Sequence, residues 1–145
     1  LGITFRIDYN ITPEFSIQYY GSPFASTGKY SEFKVVTQPG AASYNSRFTI
    51  LSPVLNENNY EISETDYSQI DYTFENPDFN FSQFRSNLVL RWEYRPGSQL
   101  YLVWSQDRTN FTQPGYYSVN DALGSLKNVA ANNIFLIKLS YWFSI

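Results

Sequence analysis

Apolar and polar side chains alternate with period two through most of this chain, and helical periodicity is nearly absent. An extended backbone puts successive side chains on opposite faces of a sheet. The pattern therefore predicts an all-β, antiparallel, up-and-down fold with one apolar face and one polar face. Seven segments carry it. The first sets Ile3, Phe5, Ile7 and Tyr9 against Thr4, Arg6, Asp8 and Asn10. After the turn Ile11-Thr12-Pro13-Glu14, the second sets Phe15, Ile17 and Tyr19 against Ser16, Gln18 and Tyr20. The third runs from Tyr30 to Val36, and the fourth, the weakest, from Tyr44 to Ile50.

The fifth segment is the clearest, with Phe84, Leu88, Leu90, Trp92 and Tyr94 on one parity and Arg85, Asn87, Val89, Arg91 and Glu93 on the other. A tight Arg95-Pro96-Gly97-Ser98 turn leads to the sixth, where Leu100, Leu102 and Trp104 oppose Tyr101, Val103, Ser105 and Asp107. The seventh sets Phe135, Ile137, Leu139, Tyr141, Phe143 and Ile145 against Leu136, Lys138, Ser140, Trp142 and Ser144. Between the sixth and seventh, Asp121 to Ala131 has the composition of a short helix capped by Asn120 or Asp121.

The charged residues of these segments all lie opposite the large apolar side chains. Two architectures satisfy that division: a soluble barrel or sandwich with the apolar face inside, or a transmembrane barrel with that face on lipid. Three features favour the second. Phe81 to Tyr94 and Phe135 to Ile145 are long enough to cross a bilayer as tilted strands, which takes about 9 to 11 residues. Tyr9, Tyr19, Trp92, Tyr94, Trp104 and Tyr141 fall toward strand ends, where amphipathic rings form a girdle at the level of lipid headgroups. Connections also alternate, short after the first, third and fifth strands and long after the others, the rhythm of periplasmic turns and external loops.

Composition narrows the chemistry. Aromatic residues make up 19% of the chain and charged residues only 16%, against roughly a quarter charged in a soluble domain. There is no Cys, His or Met, which removes disulfides, zinc held by thiolate or imidazole, cysteine nucleophiles and Ser-His-Asp triads. No cofactor is expected. A net charge of -3 offers phosphate no basic surface, so nucleic acid is not an expected partner. The longest clear apolar run, Ile134 to Ile137, falls far short of the roughly 18 residues of a spanning helix. Lys and Arg are missing between Phe48 and Phe84, where Glu57, Glu61, Glu64, Asp66, Asp71, Glu75 and Asp78 fall, so the stretch reads as a long acidic loop.

Strand parity puts the C-terminus on the short-turn side and Leu1 on the long-loop side. Bacterial single-chain barrels have an even strand number of at least about eight, and an open sheet edge in lipid leaves backbone groups unpaired. The expectation is that residues 1–145 are the C-terminal part of one outer-membrane barrel domain whose other strands lie upstream.

One stretch, Asn76-Pro-Asp-Phe-Asn-Phe-Ser-Gln-Phe-Arg-Ser-Asn-Leu-Val-Leu-Arg-Trp-Glu-Tyr-Arg-Pro-Gly-Ser-Gln-Leu-Tyr-Leu-Val-Trp-Ser-Gln106, together with the ending Lys138-Leu-Ser-Tyr-Trp-Phe-Ser-Ile145, is more specific. It resembles the C-terminal β-barrel region, a domain of unknown function, of Bacteroidota outer-membrane proteins that carry an N-terminal carbohydrate-binding domain of the family-nine type. Gln18-Tyr-Tyr-Gly-Ser-Pro-Phe24 and Gly28-Lys-Tyr-Ser31 look like the same family. The resemblance implies an outer-membrane location and an upstream sugar-binding module. Leu139, Tyr141, Phe143 and Ile145 also look like the C-terminal signal read by the barrel-assembly machinery, although Ser140 and Ile145 stand where that signal commonly has glycine and a terminal aromatic.

On the barrel reading, Arg6, Asp8, Arg47, Arg85, Arg91, Glu93 and Lys138 point into the lumen, as a structural polar network or as the lining of a channel for an anionic or hydroxyl-rich ligand. Asp8 and Glu93 are the one candidate carboxylate pair for glycoside hydrolysis. The acidic loop from Glu57 to Asp78 is rich in the oxygen ligands that suit calcium, yet no glycine supplies the tight turn of the helix-loop-helix calcium motif. Phe111, Tyr116 and Tyr117 are placed to stack on sugar rings or to pack a loop on the rim. The favoured reading is a structural, membrane-anchoring barrel segment without catalytic activity. Its expected partners are outer-membrane lipid and the assembly machinery, with extracellular glycans and other outer-membrane subunits as further candidates. The alternatives are a soluble barrel enclosing an apolar ligand between Phe5, Ile7, Leu88, Leu90, Ile137 and Leu139, and the end of a TonB-dependent transporter.

Overall fold

The computed structural model describes residues 1–63, 70–113 and 118–143. Ten strands and one α-helix occur among them: β1 (Phe5–Thr12), β2 (Phe15–Gly28), β3 (Lys34–Val36), β4 (Phe48–Ile50), β5 (Val54–Asn56), β6 (Asn59–Ile62), β7 (Tyr72–Glu75), β8 (Phe79–Arg95), β9 (Ser98–Thr112), α1 (Val119–Ser125) and β10 (Asn132–Ser140). The fold is all-β and mostly antiparallel. No helix among the described residues is long and apolar enough to cross a membrane. The chain divides into two compact units, one of Leu1–Ser26, Asn80–Phe111 and Tyr117–Ile145, the other of Thr27–Phe79 and Thr112–Tyr116.

In the first unit β1, β2, β8, β9 and β10 form a five-stranded sheet in that order. Each strand lies beside the sheet strand that precedes it in the chain, so the topology is a plain meander. Phe5 faces Gly21 and Asn10 faces Ser16 across β1 and β2, and Asn132 faces Asp107 and Ser140 faces Gln99 across β10 and β9. Side-chain hydrogen bonds give the β8–β9 register: Gln83 to Thr109 (2.9 Å), Arg85 to Asp107 (3.3 Å) and Ser105 to Asn87 (3.3 Å) climb one strand as they descend the other.

Two-residue turns, Pro13-Glu14 and Pro96-Gly97, join β1 to β2 and β8 to β9. Gly97 takes φ 77°, which an L side chain rarely adopts. The backbone N–H of Glu93 donates to the carbonyl of Glu14 at 2.8 Å, so both turns lie at one end of the sheet. The residues after β10 are at that end too, where the N–H of Trp142 donates to Ser98 Oγ (3.0 Å). Leu1 is at the other end, its amino group donating to the Ala25 carbonyl (2.7 Å).

Among the described residues of this unit, none forms a second layer on the middle of the sheet. The buried apolar ones among the described residues are Ala25, Ala122, Leu126 and, in the second unit, Ile62. Ile7 is 56% exposed and Phe135 and Ile137 are each 73% exposed. A monomer in water rarely presents so continuous an apolar face.

In the second unit β3 and β4 pair with one another, and β5, β6 and β7 form a three-stranded meander. Phe33, Tyr60 and Phe74 cluster with ring centroids 5.0 to 5.4 Å apart. Asp78 Oδ1 accepts from the N–H of Tyr30 at 2.7 Å.

Several expectations are corrected here. The third segment shortens to Lys34–Val36, and the fourth becomes a 3-10 turn, Tyr44–Arg47, ahead of Phe48–Ile50. Asn and Ser at its centre favour turns over strand. These two strands lie outside the five-stranded sheet. The acidic stretch holds β5, β6 and β7 rather than an irregular loop, and Glu64 and Asp66 lie outside the described residues. The helix begins at Val119, capped by Ser118, whose Oγ accepts from the N–H of Asp121 (3.2 Å). It gives way to a 3-10 turn, Leu126–Asn128. The last strand ends at Ser140, because Ser140 already faces Gln99 and β9 begins at Ser98.

Candidate functional site

The site this fold defines is the five-stranded sheet itself, taken face by face. On the apolar face β1 contributes Phe5, Ile7 and Tyr9, β8 contributes Leu88, Leu90 and Trp92, β9 contributes Leu102 and Trp104, and β10 contributes Phe135, Ile137 and Leu139. Leu88, Leu90, Leu102, Trp104, Phe135 and Ile137 line a groove of about 200 Å³ that spans three strands. The six residues expected to enclose an apolar ligand thus form part of an open sheet face. At Gly21 the ring of Phe5 lies directly over the backbone, where any Cβ would collide with it.

The six candidate girdle residues separate into two sets. Trp92 and Tyr94 stand near the end of β8, 6.1 Å apart at 63°, and Tyr141 follows the end of β10. Tyr94 Oη donates to the carbonyl of Ser140 (3.4 Å), and Arg95 Nη1 donates to Tyr141 Oη (3.1 Å). Phe143 stacks on Tyr141 at 6.3 Å. This makes an aromatic group at the short-turn end. Tyr9 stands three residues before the end of β1, as Trp92 does in β8, and Tyr19 stands four residues after the start of β2, whereas Trp104 lies well inside its strand, a correction to its expected place, because β9 runs further than alternation alone indicates. Of the four assembly-signal residues, Leu139 is in β10, Tyr141 and Phe143 follow it, and Ile145 lies outside the described residues.

On the polar face each cation has a local partner. Arg6 lies 5.8 Å over the ring of Tyr20 and Lys138 lies 5.7 Å over the ring of Tyr101. Arg85 Nε pairs with Asp107 Oδ1 at 3.3 Å, and Arg91 Nη2 with Glu93 Oε2 at 3.3 Å. Glu93 Oε1 also accepts from the N–H of Gly97 (3.0 Å), which fastens its carboxylate to the Pro96-Gly97 turn. Arg47 does not join them. It ends the 3-10 turn of the second unit, where its Nε donates to the carbonyl of Ala41 (2.9 Å).

Two polar grooves lie side by side on this face. One, of about 490 Å³, is lined by Arg6, Asp8, Gln18, Tyr20, Asn87 and Val89 among others. The other, of about 380 Å³, shares Tyr20 and Asn87 and adds Arg85, Ser105 and Asp107. Gln18, Tyr20, Tyr101, Ser105 and Asp107 were not among the candidate residues. Their period-two parity places them on this face, and Gln18, Tyr20, Tyr101 and Ser105 carry no charge to mark them.

Asp8 and Glu93 do not make a hydrolytic pair. β2 separates their strands, and Glu93 lies near Glu14 while Asp8 faces Gln18. Strand spacing then puts them on the order of 15 Å apart, beyond the roughly 5 to 9.5 Å that glycoside hydrolysis uses. Among the described residues no three acidic side chains converge as a metal site. Phe111 is exposed, and Tyr116 and Tyr117 lie outside the described residues.

In the first unit a single antiparallel sheet carries one apolar and one polar face, and among the described residues the apolar side chains of Ile7, Phe135, Ile137 and Leu139 stay exposed, which places this unit among all-β structures that do not bury their own apolar face. The chain belongs to the family described as a domain of unknown function, DUF5916, whose model matches residues 2–145. No curated protein and no solved structure matches it.

Proposed function

We propose that this chain is the C-terminal wall of an up-and-down β-barrel in the outer membrane of a Gram-negative bacterium, with its apolar face on lipid and its polar face on the lumen. Its role is structural: it anchors a larger protein that binds or takes up extracellular glycans, and it catalyses no reaction itself. One observation carries the reading. Phe135, Ile137 and Leu139 on β10 and Ile7 on β1 are exposed on one face of the sheet among the described residues, and hydrocarbon is the solvent in which such a face costs nothing.

The connections support it. Both two-residue turns lie at one end of the sheet, and the long segments after β2 and β9 leave from the other, as in outer-membrane barrels. The aromatic group of Trp92, Tyr94 and Tyr141 is at the short-turn end, where a headgroup layer would meet it. β1 and β10 each keep one open edge, which further strands of the same barrel would pair. The Bacteroidota source, the upstream sugar-binding module and the assembly signal rest on the resemblance of Asn76 to Gln106 and Lys138 to Ile145.

The test is lipid-phase quenching on the full-length protein in liposomes, with Trp92 and Trp104 as its only tryptophans. Brominated acyl chains are expected to quench both indoles. Quenching by aqueous acrylamide alone, or a monomer soluble without detergent, would turn this face toward a protein interior and overturn the reading.

A further inference from the structure

On the barrel reading, α1 and the strands beneath it form a place for one particular lipid. The helix lies on the apolar side of the sheet at the end where the long connections leave. Ala122 and Leu126 are buried there, Asn110 Nδ2 donates to Ser125 Oγ (2.9 Å), and Arg108 Nη1 donates to the carbonyl of Leu126 (3.1 Å). A groove of about 290 Å³ opens beside it, walled by Pro23, Phe84, Leu123 and Leu126. Its charged lining residues are Arg108 and Lys127, and no acidic residue is among them.

We propose that this groove binds a phosphate-bearing lipid, with the phosphate on Arg108 and Lys127 and the head of an acyl chain on the apolar walls. Each half of the lining excludes a simpler ligand. A free anion has no use for walls of Pro, Phe and Leu, and an uncharged lipid has no use for two cations. Arg108 already neutralises the last carbonyls of the helical segment through one Nη, and a guanidinium carries five N–H donors, so others are left for a phosphate. Phe84 and Gln106 share a parity with Leu88 and Trp104, so a chain leaving the groove runs onto the apolar groove of the sheet.

The experiment uses the full-length protein in vesicles containing phosphatidylglycerol and phosphatidylcholine in equal amounts, one of them at a time carrying a photoactivatable acyl chain. Cross-linked peptides are then mapped. Phosphatidylglycerol is expected to label Phe84, Leu123 and Leu126 about 25-fold more than phosphatidylcholine, about fivefold for each of the two cations near an anionic headgroup. Both lipids are expected to label Leu90 and Ile137 equally. Lys127→Gln and Lys127→Glu alter an exposed side chain and leave its carbonyl on Arg108, so both should fold; Gln should lower the preference to the about fivefold that Arg108 alone confers, and Glu should abolish it. Equal labelling of the groove by the two lipids, a preference that survives both substitutions, or one that inorganic phosphate removes would overturn the lipid site. The barrel reading would stand in each case. Failure of either lipid to label Leu90 and Ile137 would overturn the barrel reading, and the site with it.

Discussion

The indole of Trp104 and the ring of Phe135 lie nearly parallel across the β9–β10 pair, 7° apart in plane with centroids at 6.0 Å. Trp104 Nε1 also donates to Asn133 Oδ1 at 2.9 Å, which satisfies the one polar atom of the indole on an apolar face. The pair should couple measurably. In a double-mutant cycle of Trp104→Ala and Phe135→Ala on the full-length protein, urea unfolding in lipid is expected to give a coupling of about 0.5 to 1.5 kcal/mol. Additive losses would mean that the rings do not stack.

Leu90 and Val89 are neighbours on β8 with opposite outlooks, Leu90 on the apolar groove and Val89 on the polar one. Leu90→Arg should cost about 2 to 4 kcal/mol if it meets hydrocarbon near the midplane. Val89→Arg should be much milder. The measurement is the yield of membrane-assembled protein, and equal losses would contradict the face assignment.

Glu93 holds the Pro96-Gly97 turn through Gly97 N–H and is itself held by Arg91. Glu93→Gln keeps an acceptor for Gly97 and loses only the ion pair, whereas Glu93→Ala loses both. Ala should therefore destabilise more than Gln, by about 1 kcal/mol. At Gly97 any side chain meets both a positive φ and the Cβ of Trp142 at 3.2 Å, so Gly97→Val should be worse than either. Comparative unfolding of the three variants orders them.

Arg85 and Asp107 are 66% and 40% exposed in their side chains, so their ion pair sits in screened surroundings. Reversing both charges should restore most of what either reversal loses, with a coupling below about 1 kcal/mol. A coupling of several kcal/mol in assembled protein would show that the polar face is dry, as in a plugged lumen. The same cycle thus reads the water content of that face.

The main sheet was legible because its central rows obey one rule: apolar on one parity, polar on the other. Phe84 to Tyr94 follows it except at Ser86 and Val89, and Leu100 to Trp104 keeps its large apolar side chains on one parity although Tyr101 and Val103 stand on the other; both segments are strand. The rule stops where both faces turn polar. Beyond Trp104, β9 continues through Ser105-Gln106-Asp107-Arg108-Thr109-Asn110, and no alternation marks that extension. β2 likewise runs on through Gly21 and Pro23, residues that punctuate loops elsewhere. In the acidic stretch β5, β6 and β7 are only three or four residues each, too short for a period to declare itself. On the polar face parity placed Arg6, Asp8 and Arg91, but the partners Tyr20, Tyr101 and Asp107 come from neighbouring strands, and register is set by turns that no single strand records.

β2 and β8 are hydrogen-bonded neighbours although the chain makes β3 to β7 between them. Their pairing closes a loop of about fifty residues, where the flanking hairpins each close over two, and the entropy of closure grows with the logarithm of that length. By loop length the sheet is thus two hairpins joined at a seam, with β10 added to β9 across the segment that holds α1. β1–β2 and β8–β9 can form early from local contacts, while the seam waits for the intervening segment to come together. Because each doubling of that segment adds only about 0.6 kcal/mol to closure, the segment between Gly28 and Phe79 is where this sheet tolerates insertion best, and a slipped register at the seam is its most accessible misfolded state.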